Sequence, residues 1–326
     1  MKRKKLLATV IVLGMFASSL TGCGSKSNEQ GSAQKDVKNA KIAVVLKALN
    51  SDYWKMVQAG AQDAAKELGV KVEVLGPNAE TDIVGQTSLM EDQIVRGVDA
   101  LVVAPSQPSA AIATLDKAAS EKIPVFLIDT DANWDKKQAF IGTGNFAGGQ
   151  LAGKFFAQKL KSGDEIVAIR GALGDATHDE RINGAKQEIE AAGLKIAEIQ
   201  PANSDRDKAM SVMENILQSH PKVKAVFCSN DEMALGAVRA LKQANRTDVL
   251  VVGFDGSPDA LKSIKAGELT ATVAQSAYNI GKVGVESAVK VIKGETIEKR
   301  IDTGTTLINK DNVDKAQADL DKILGK

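Results

Sequence analysis

From Lys41 almost to the C-terminus, short runs rich in valine and isoleucine alternate with longer segments whose apolar residues recur every three or four positions. No other feature restricts the chain as much. The short runs predict strands buried on both faces and the periodic segments predict amphipathic helices, so their regular succession predicts βαβ units. Strands are expected at Ile42 to Leu46, Val70 to Leu75, Ala100 to Ala104, Val125 to Ile128, Phe140 to Ile141, Glu165 to Ile169, Leu194 to Ile199, Ala225 to Cys228, Val249 to Phe254 and Thr270 to Ala274. Helices are expected at Tyr53 to Leu68, Ile83 to Arg96, Ser109 to Ser120, Ala147 to Lys161, Glu180 to Ala192, Asp205 to Gln218, Asp231 to Gln243, Pro258 to Ala266 and Ile280 to Ile292. The fold class is α/β, with parallel sheets covered by helices. The pattern restarts after Gly142-Thr143-Gly144, and 326 residues suit about two domains, so two doubly wound lobes are expected.

The N-terminus reads as an address. Met1 to Lys5 is basic, Leu6 to Ala17 is an apolar run and small residues follow to Gly22, the layout of a secretory signal peptide over residues 1–22. The apolar run is shorter than the roughly 20 residues a membrane span needs. Leu20-Thr21-Gly22-Cys23 resembles the lipobox of bacterial lipoproteins, which implies lipidation at Cys23 and anchoring on the outer face of the cytoplasmic membrane. Residues 23–40 have almost nothing apolar to bury and read as a flexible tether.

Composition removes several function classes. The leader holds four basic residues and no acid, so the remaining chain carries 38 Lys+Arg against 41 Asp+Glu, with no footprint for nucleic acid. Two cysteines, 23 and 228, make no disulfide framework, and His178 and His220 have no metal-ligand spacing, so no metal or cofactor is expected. Cys228 reads as a small buried hydrophobe and His220 as a helix-end residue. His178 reads as a cleft-rim or capping residue.

In open parallel sheets ligands bind beyond the carboxyl ends of the strands, so polar residues directly after apolar runs are the candidates. They are Lys47; Asp129, Thr130 and Asp131; Asn230; Asp255; and Gln275. Carboxylates, amides and a guanidinium fork suit vicinal hydroxyls, each both donor and acceptor, and so point to a sugar or polyol. In a chain with only 4% aromatic residues, Tyr53 and Trp54 follow the first strand and Trp134 the fourth. Such rings stack on a pyranose, although Tyr53 and Trp54 equally suit helix packing. Asp231 and Asp255 also suit N-capping; Asp231 is assigned to a cap and Asp255 to the ligand.

Gln200-Pro201-Ala202, Asn230-Asp231-Glu232-Met233-Ala234-Leu235-Gly236, Val251-Val252-Gly253-Phe254-Asp255-Gly256 and Ala271-Thr272-Val273-Ala274-Gln275 resemble the ribose-binding and allose-binding proteins of bacterial ABC importers. The resemblance covers the body from Lys41 onward. It implies a type I periplasmic-binding-protein fold, a monomer of two lobes that closes on a monosaccharide and delivers it to a membrane permease. It implies ligand contacts at Lys47, Ser51, Tyr53, Trp54, Asp129, Arg181, Asn230, Asp255 and Gln275, with Asp131 and Thr177-His178-Asp179 near enough to add more. Lys47 is the allose-type residue, and Thr130 and Ser204 depart from the ribose pattern. Hinge crossings are implied near Thr143-Gly144, Gln275-Ser276 and Thr303-Gly304. The lobes would then be residues 41–143 plus 276–303 and residues 144–275 plus 304–326.

Three rivals share parts of this pattern. A receptor of the same fold could feed a sensor kinase or chemoreceptor. Gly142-Thr143-Gly144-Asn145-Phe146-Ala147 matches a dinucleotide-binding loop of an NAD-dependent enzyme, though Glu165 begins the next strand where an acid should end it. A transcriptional regulator of the LacI type would open with a DNA-binding helix-turn-helix, where this chain has a leader. No catalytic residues are expected.

Overall fold

The computed structural model describes residues 37–323 and 325; the leader, Cys23 and most of the tether lie outside the described residues. The chain first lays down β1 (Lys41–Val45), α1 (Asp52–Leu68), β2 (Lys71–Leu75), α2 (Ile83–Val95), β3 (Ala100–Val103), α3 (Pro108–Ser120), β4 (Val125–Ile128) and β5 (Ala139–Gly142). It continues through α4 (Asn145–Lys159), β6 (Glu165–Arg170), α5 (Ala176–Ala191), β7 (Lys195–Pro201), α6 (Arg206–Ser219), β8 (Ala225–Cys228), α7 (Asp231–Gln243), β9 (Leu250–Asp255), α8 (Pro258–Ala266) and β10 (Ala271–Gln275). It ends with α9 (Ala277–Ile292), β11 (Arg300–Asp302), β12 (Thr305–Asn309) and α10 (Val313–Ile323).

Two six-stranded sheets result, ordered β11-β5-β4-β3-β1-β2 and β12-β10-β9-β8-β6-β7. Every pairing is parallel except β10 with β12, a departure from the all-parallel expectation. A connection of two residues between β11 and β12 leaves no room for a covering helix, so the last strand enters the second sheet in reverse. Central strands feed two cores at once: Ile42 and Val44 of β1 join one apolar cluster, while Ala43 and Val45 join another across the sheet. The edge strands β2 and β7 instead alternate exposed and half-buried positions.

The chain passes between the sheets three times, from β5 to α4, from β10 to α9 and from β11 to β12. At the last passage Gly304 holds φ 76, a left-handed conformation that favours glycine. At the first passage Gly144 sits at φ −73, a backbone angle open to any residue. Helix α10 extends from β12, and its Leu320 packs against a core cluster of each sheet.

Candidate functional site

Both sheets have the same order of their first five strands, so each has a switch point where loops diverge beyond the carboxyl ends, and the two ends face one chamber. Lys47, Tyr53, Trp54, Glu80, Asp129, Thr177, His178, Arg181, Asn230 and Asp255 enclose it, leaving about 20 Å3, about the room one water needs. An outer cavity of about 230 Å3 shares Tyr53, Glu80, Asn230 and Asp255 with it and also touches Ser51 and Ser204.

Asp129 directly follows β4 and Asp255 ends β9, and both adopt positive φ, 61 and 128. Non-glycine residues pay for such backbone only where the surroundings fix it. Here the turn aims each carboxylate into the chamber. Asp129 accepts from Tyr53 Oη at 2.6 Å and from Thr130 Oγ1 at 2.8 Å. Asp255 accepts from Gln275 Nε2 at 2.7 Å, and Thr143 Oγ1 donates to Gln275 Oε1 at 2.6 Å, which ties the chamber floor to the first chain crossing. Burial pushes the Asp255 carboxyl well above its usual range, against the pull of Arg181.

Arg181 is held on three sides. Its Nε donates to Asn145 Oδ1 at 2.8 Å, its Nη1 to the Ser229 carbonyl at 2.9 Å, and its guanidinium lies 4.0 Å over the Phe254 ring. Such a fork is fixed before any ligand arrives. Asn230 caps α7 through Oδ1, which accepts from Met233 N at 3.0 Å, and so turns its Nδ2 donors to other uses. Asp231, expected as that cap, instead buries its carboxylate against Ser257 N and Thr272 Oγ1. A one-residue shift of the cap accounts for the exchange.

Tyr53 and Trp54 meet edge to face at 4.9 Å, and Trp54 Nε1 donates to Glu80 Oε1 at 2.7 Å. Burial raises Glu80 despite Lys47 nearby. Lys47 Nζ reaches Asp175 Oδ2 at 2.5 Å and Asp129 Oδ1 at 3.4 Å. Burial would lower the ammonium and raise the carboxyl, but the pairing overcomes both and holds each in its charged form. His178 is not at a rim: it is buried, its Nδ1 lies 2.8 Å from Ser229 Oγ, and burial pushes it down to about 3. Glu80, Asp175 and His178 bring possible metal-ligand atoms within 4.8 Å of one another. The Lys47 ammonium already serves Asp175, so the cation of this cluster is the protein's own.

Several candidates fall elsewhere. Asp131 lies outside the chamber, paired with Lys137 at 2.8 Å, and Asp179 pairs with Arg170 on the surface. Trp134 is a core residue whose Nε1 donates to Asp116. Ser51 caps α1 at the outer cavity, and Gln275 acts behind Asp255 rather than on the chamber wall. Glu80 and Asp175 were missed by the strand-end rule. The dinucleotide reading of Gly142 to Ala147 loses its structural context, because β5 belongs to one sheet and β6 to the other, so no single βαβ unit surrounds that turn. Gly142 is instead required by close approach, as a Cβ there would lie 2.6 Å from the Phe140 ring.

Residues 42–296 match the family model of the periplasmic binding protein domain. The ribose import binding protein of Salmonella typhimurium is 38% identical over 269 residues, covering 82% of this chain and 90% of that protein. The D-allose-binding periplasmic protein of Escherichia coli is 37% identical over 266 residues, covering 78% and 85%. Among solved structures, a carbohydrate transporter solute-binding protein from Agrobacterium radiobacter in complex with D-arabinose superposes with a TM-score of 0.82 at 32% identity, covering 86% of this chain and 98% of that one.

Proposed function

The chain belongs to the periplasmic sugar-binding proteins of ABC importers, in the ribose-binding family, and from that premise we propose that the chamber between its two sheets captures a single neutral monosaccharide. The family binds and does not catalyse, and its fold is the type I periplasmic-binding-protein fold of two α/β lobes. The protein is extracytoplasmic and serves an ABC importer for ribose- or allose-like sugars. One observation carries the site: two carboxylates at positive φ, Asp129 from one sheet and Asp255 from the other, face the same enclosed space as the Arg181 fork.

In this reading Asp129, Arg181, Asn230 and Asp255 hold hydroxyls, Lys47 reaches a further one, and Tyr53 and Trp54 pack on the ring. Ser51 borders the outer cavity, and Gln275 keeps Asp255 oriented. The lobes are residues 41–143 plus 276–303 and residues 144–275 plus 304–326, hinged at Thr143-Gly144, Ser276 and Gly304. A chamber of about 20 Å3 admits a sugar only when the lobes part. Contacts from both lobes then favour the closed form by differential affinity, and a permease reads that form.

The test is a thermal-shift screen with pentoses, hexoses, amino sugars, inositols and NAD. A sugar at about 100 times its Kd adds about 2.7 kcal/mol, a rise of several degrees. A shift with a sugar and none with NAD is expected; a shift with NAD alone would overturn the reading. We also place a lipid on Cys23, outside the described residues, on the strength of Leu20-Thr21-Gly22-Cys23. Cys23→Ala should move the protein from the membrane fraction to the soluble one, and unchanged sedimentation with membranes would contradict anchoring.

A further inference from the structure

Lys47 follows β1 in the first sheet and Asp175 precedes α5 beside the second, yet the two meet at the chamber wall, where Lys47 faces the chamber and Asp175 lies behind it, each only 2% exposed. We propose that Asp175 is a positioning residue that holds the Lys47 ammonium across the cleft, a latch that favours the closed lobes by itself and fixes where Lys47 points. The closed arrangement gives this pair its value. In parted lobes both ions face water, where such a pair contributes little, while in the chamber an unpaired partner would be a buried charge.

The two oxygens of Asp175 have separate tasks. Oδ1 accepts from Thr177 N at 2.9 Å and Thr177 Oγ1 at 2.6 Å, which caps α5. Oδ2 is not needed for that cap and faces Lys47. Asparagine or serine would cap a helix about as well, so the ionised carboxylate speaks for the latch rather than the cap. Other groups agree with it. Thr177 Oγ1 lies 3.5 Å from Lys47 Nζ on the Asp175 side, and Asp129 faces it from the other. Glu80, from the loop after β2, and Ser204, from the loop after β7, line the same outer cavity from the two sides of the cleft. His178 Nε2 lies 3.2 Å from Ser204 Oγ and 4.0 Å from Glu80.

The latch deepens the sugar reading and rests on it only for the ligand it selects. Lys47 has its charge answered by Asp175 and Asp129, so a neutral hydroxyl beside it meets no uncompensated charge, whereas a sugar acid would have to displace a carboxylate that the protein already supplies.

Small-angle X-ray scattering of the sugar-free full chain tests the latch without any ligand. Asp175→Asn is expected to give a larger radius of gyration than wild type. Lys47→Gln should do the same, and the double variant should open no further than either single one. D-ribose and D-allose titrations should then show affinity about tenfold weaker in Asp175→Asn, mainly through faster dissociation. Scattering that matches wild type in both single variants would overturn the latch. If Asp175→Asn lacks a cooperative melt, Asp175→Ser replaces it, and failure of both to fold would also overturn it, since both retain a cap. Opening in the variants with no binding of either sugar by any form would count against the sugar reading and leave the latch standing.

Discussion

Replacing Asp255 with glycine should weaken sugar binding by at least about 100-fold, roughly 2.7 kcal/mol, while leaving the melting temperature within a few degrees of wild type. The two effects separate because they have different origins. Binding loses a buried acceptor that faces the chamber, and hydrogen bonds to a charged group are worth about 1.5 to 3 kcal/mol each. Stability gains from relief of φ 128 and of a carboxylate that burial disfavours. It loses the Gln275 bond, about 1 kcal/mol, and the entropy cost of glycine, of similar size. Calorimetric titration and a thermal melt on the same protein read both. Unchanged affinity would remove Asp255 from the site, and a melt lowered by more than about 10 °C would show that the carboxylate holds the fold instead.

Gly149→Ala should destabilise by about 3 kcal/mol, lowering the melt by roughly 6 to 12 °C, and should weaken sugar binding as well. A Cβ on Gly149 would lie 2.1 Å from the Arg181 carbonyl oxygen, a backbone atom that moves only if α5 shifts as a whole. Gly184 makes the reciprocal approach, with its Cβ position 2.0 Å from the Phe146 carbonyl. The pair lets α4 and α5 touch along their backbones. Because Asn145 on α4 bonds Arg181 on α5, the contact that stabilises this half of the molecule also sets the guanidinium. The first sheet has its own version, where a Cβ on Gly60 would lie 1.9 Å from the Tyr278 carbonyl oxygen and one on Gly281 1.9 Å from that of Val57. A melt unchanged in Gly149→Ala would show that these helices can part at little cost.

The strands that form the chamber were readable because they are buried on both faces and so are written as unbroken apolar runs: Val125 to Ile128 and Ala225 to Cys228 appear in the structure with those same ends. The elements that escaped are those whose environment is half solvent. Arg300–Asp302 and Thr305–Asn309 are edge strands with few apolar residues, and Val313–Ile323 buries Val313 alone in full, so none carries a strong periodic signal. Gly149 and Gly153 read as helix weaknesses in one dimension, whereas the helix that crosses them supplies their reason.

The site divides in the same way. Asp129 and Asp255 were visible because a strand end fixes where the next residue goes. Glu80 and Asp175 stand five residues past the ends of β2 and β6, and loop paths of that length are set by what they meet, Trp54 of α1 for Glu80 and Lys47 across the cleft for Asp175. Asp131 obeyed the strand-end rule and still left the chamber, drawn outward by Lys137 and Arg300. His178 looked like a rim residue because its sequence neighbours are polar, yet as the third residue of a capped helix it turns inward onto Ser229.

The most direct measurement is an isothermal calorimetric titration of the intact protein with the sugar that gives the largest thermal shift. The account predicts saturable binding of one sugar per chain, lost in Asp255→Gly. Titrations without heat for every pentose, hexose, amino sugar and inositol, in a protein that melts cooperatively, would contradict it.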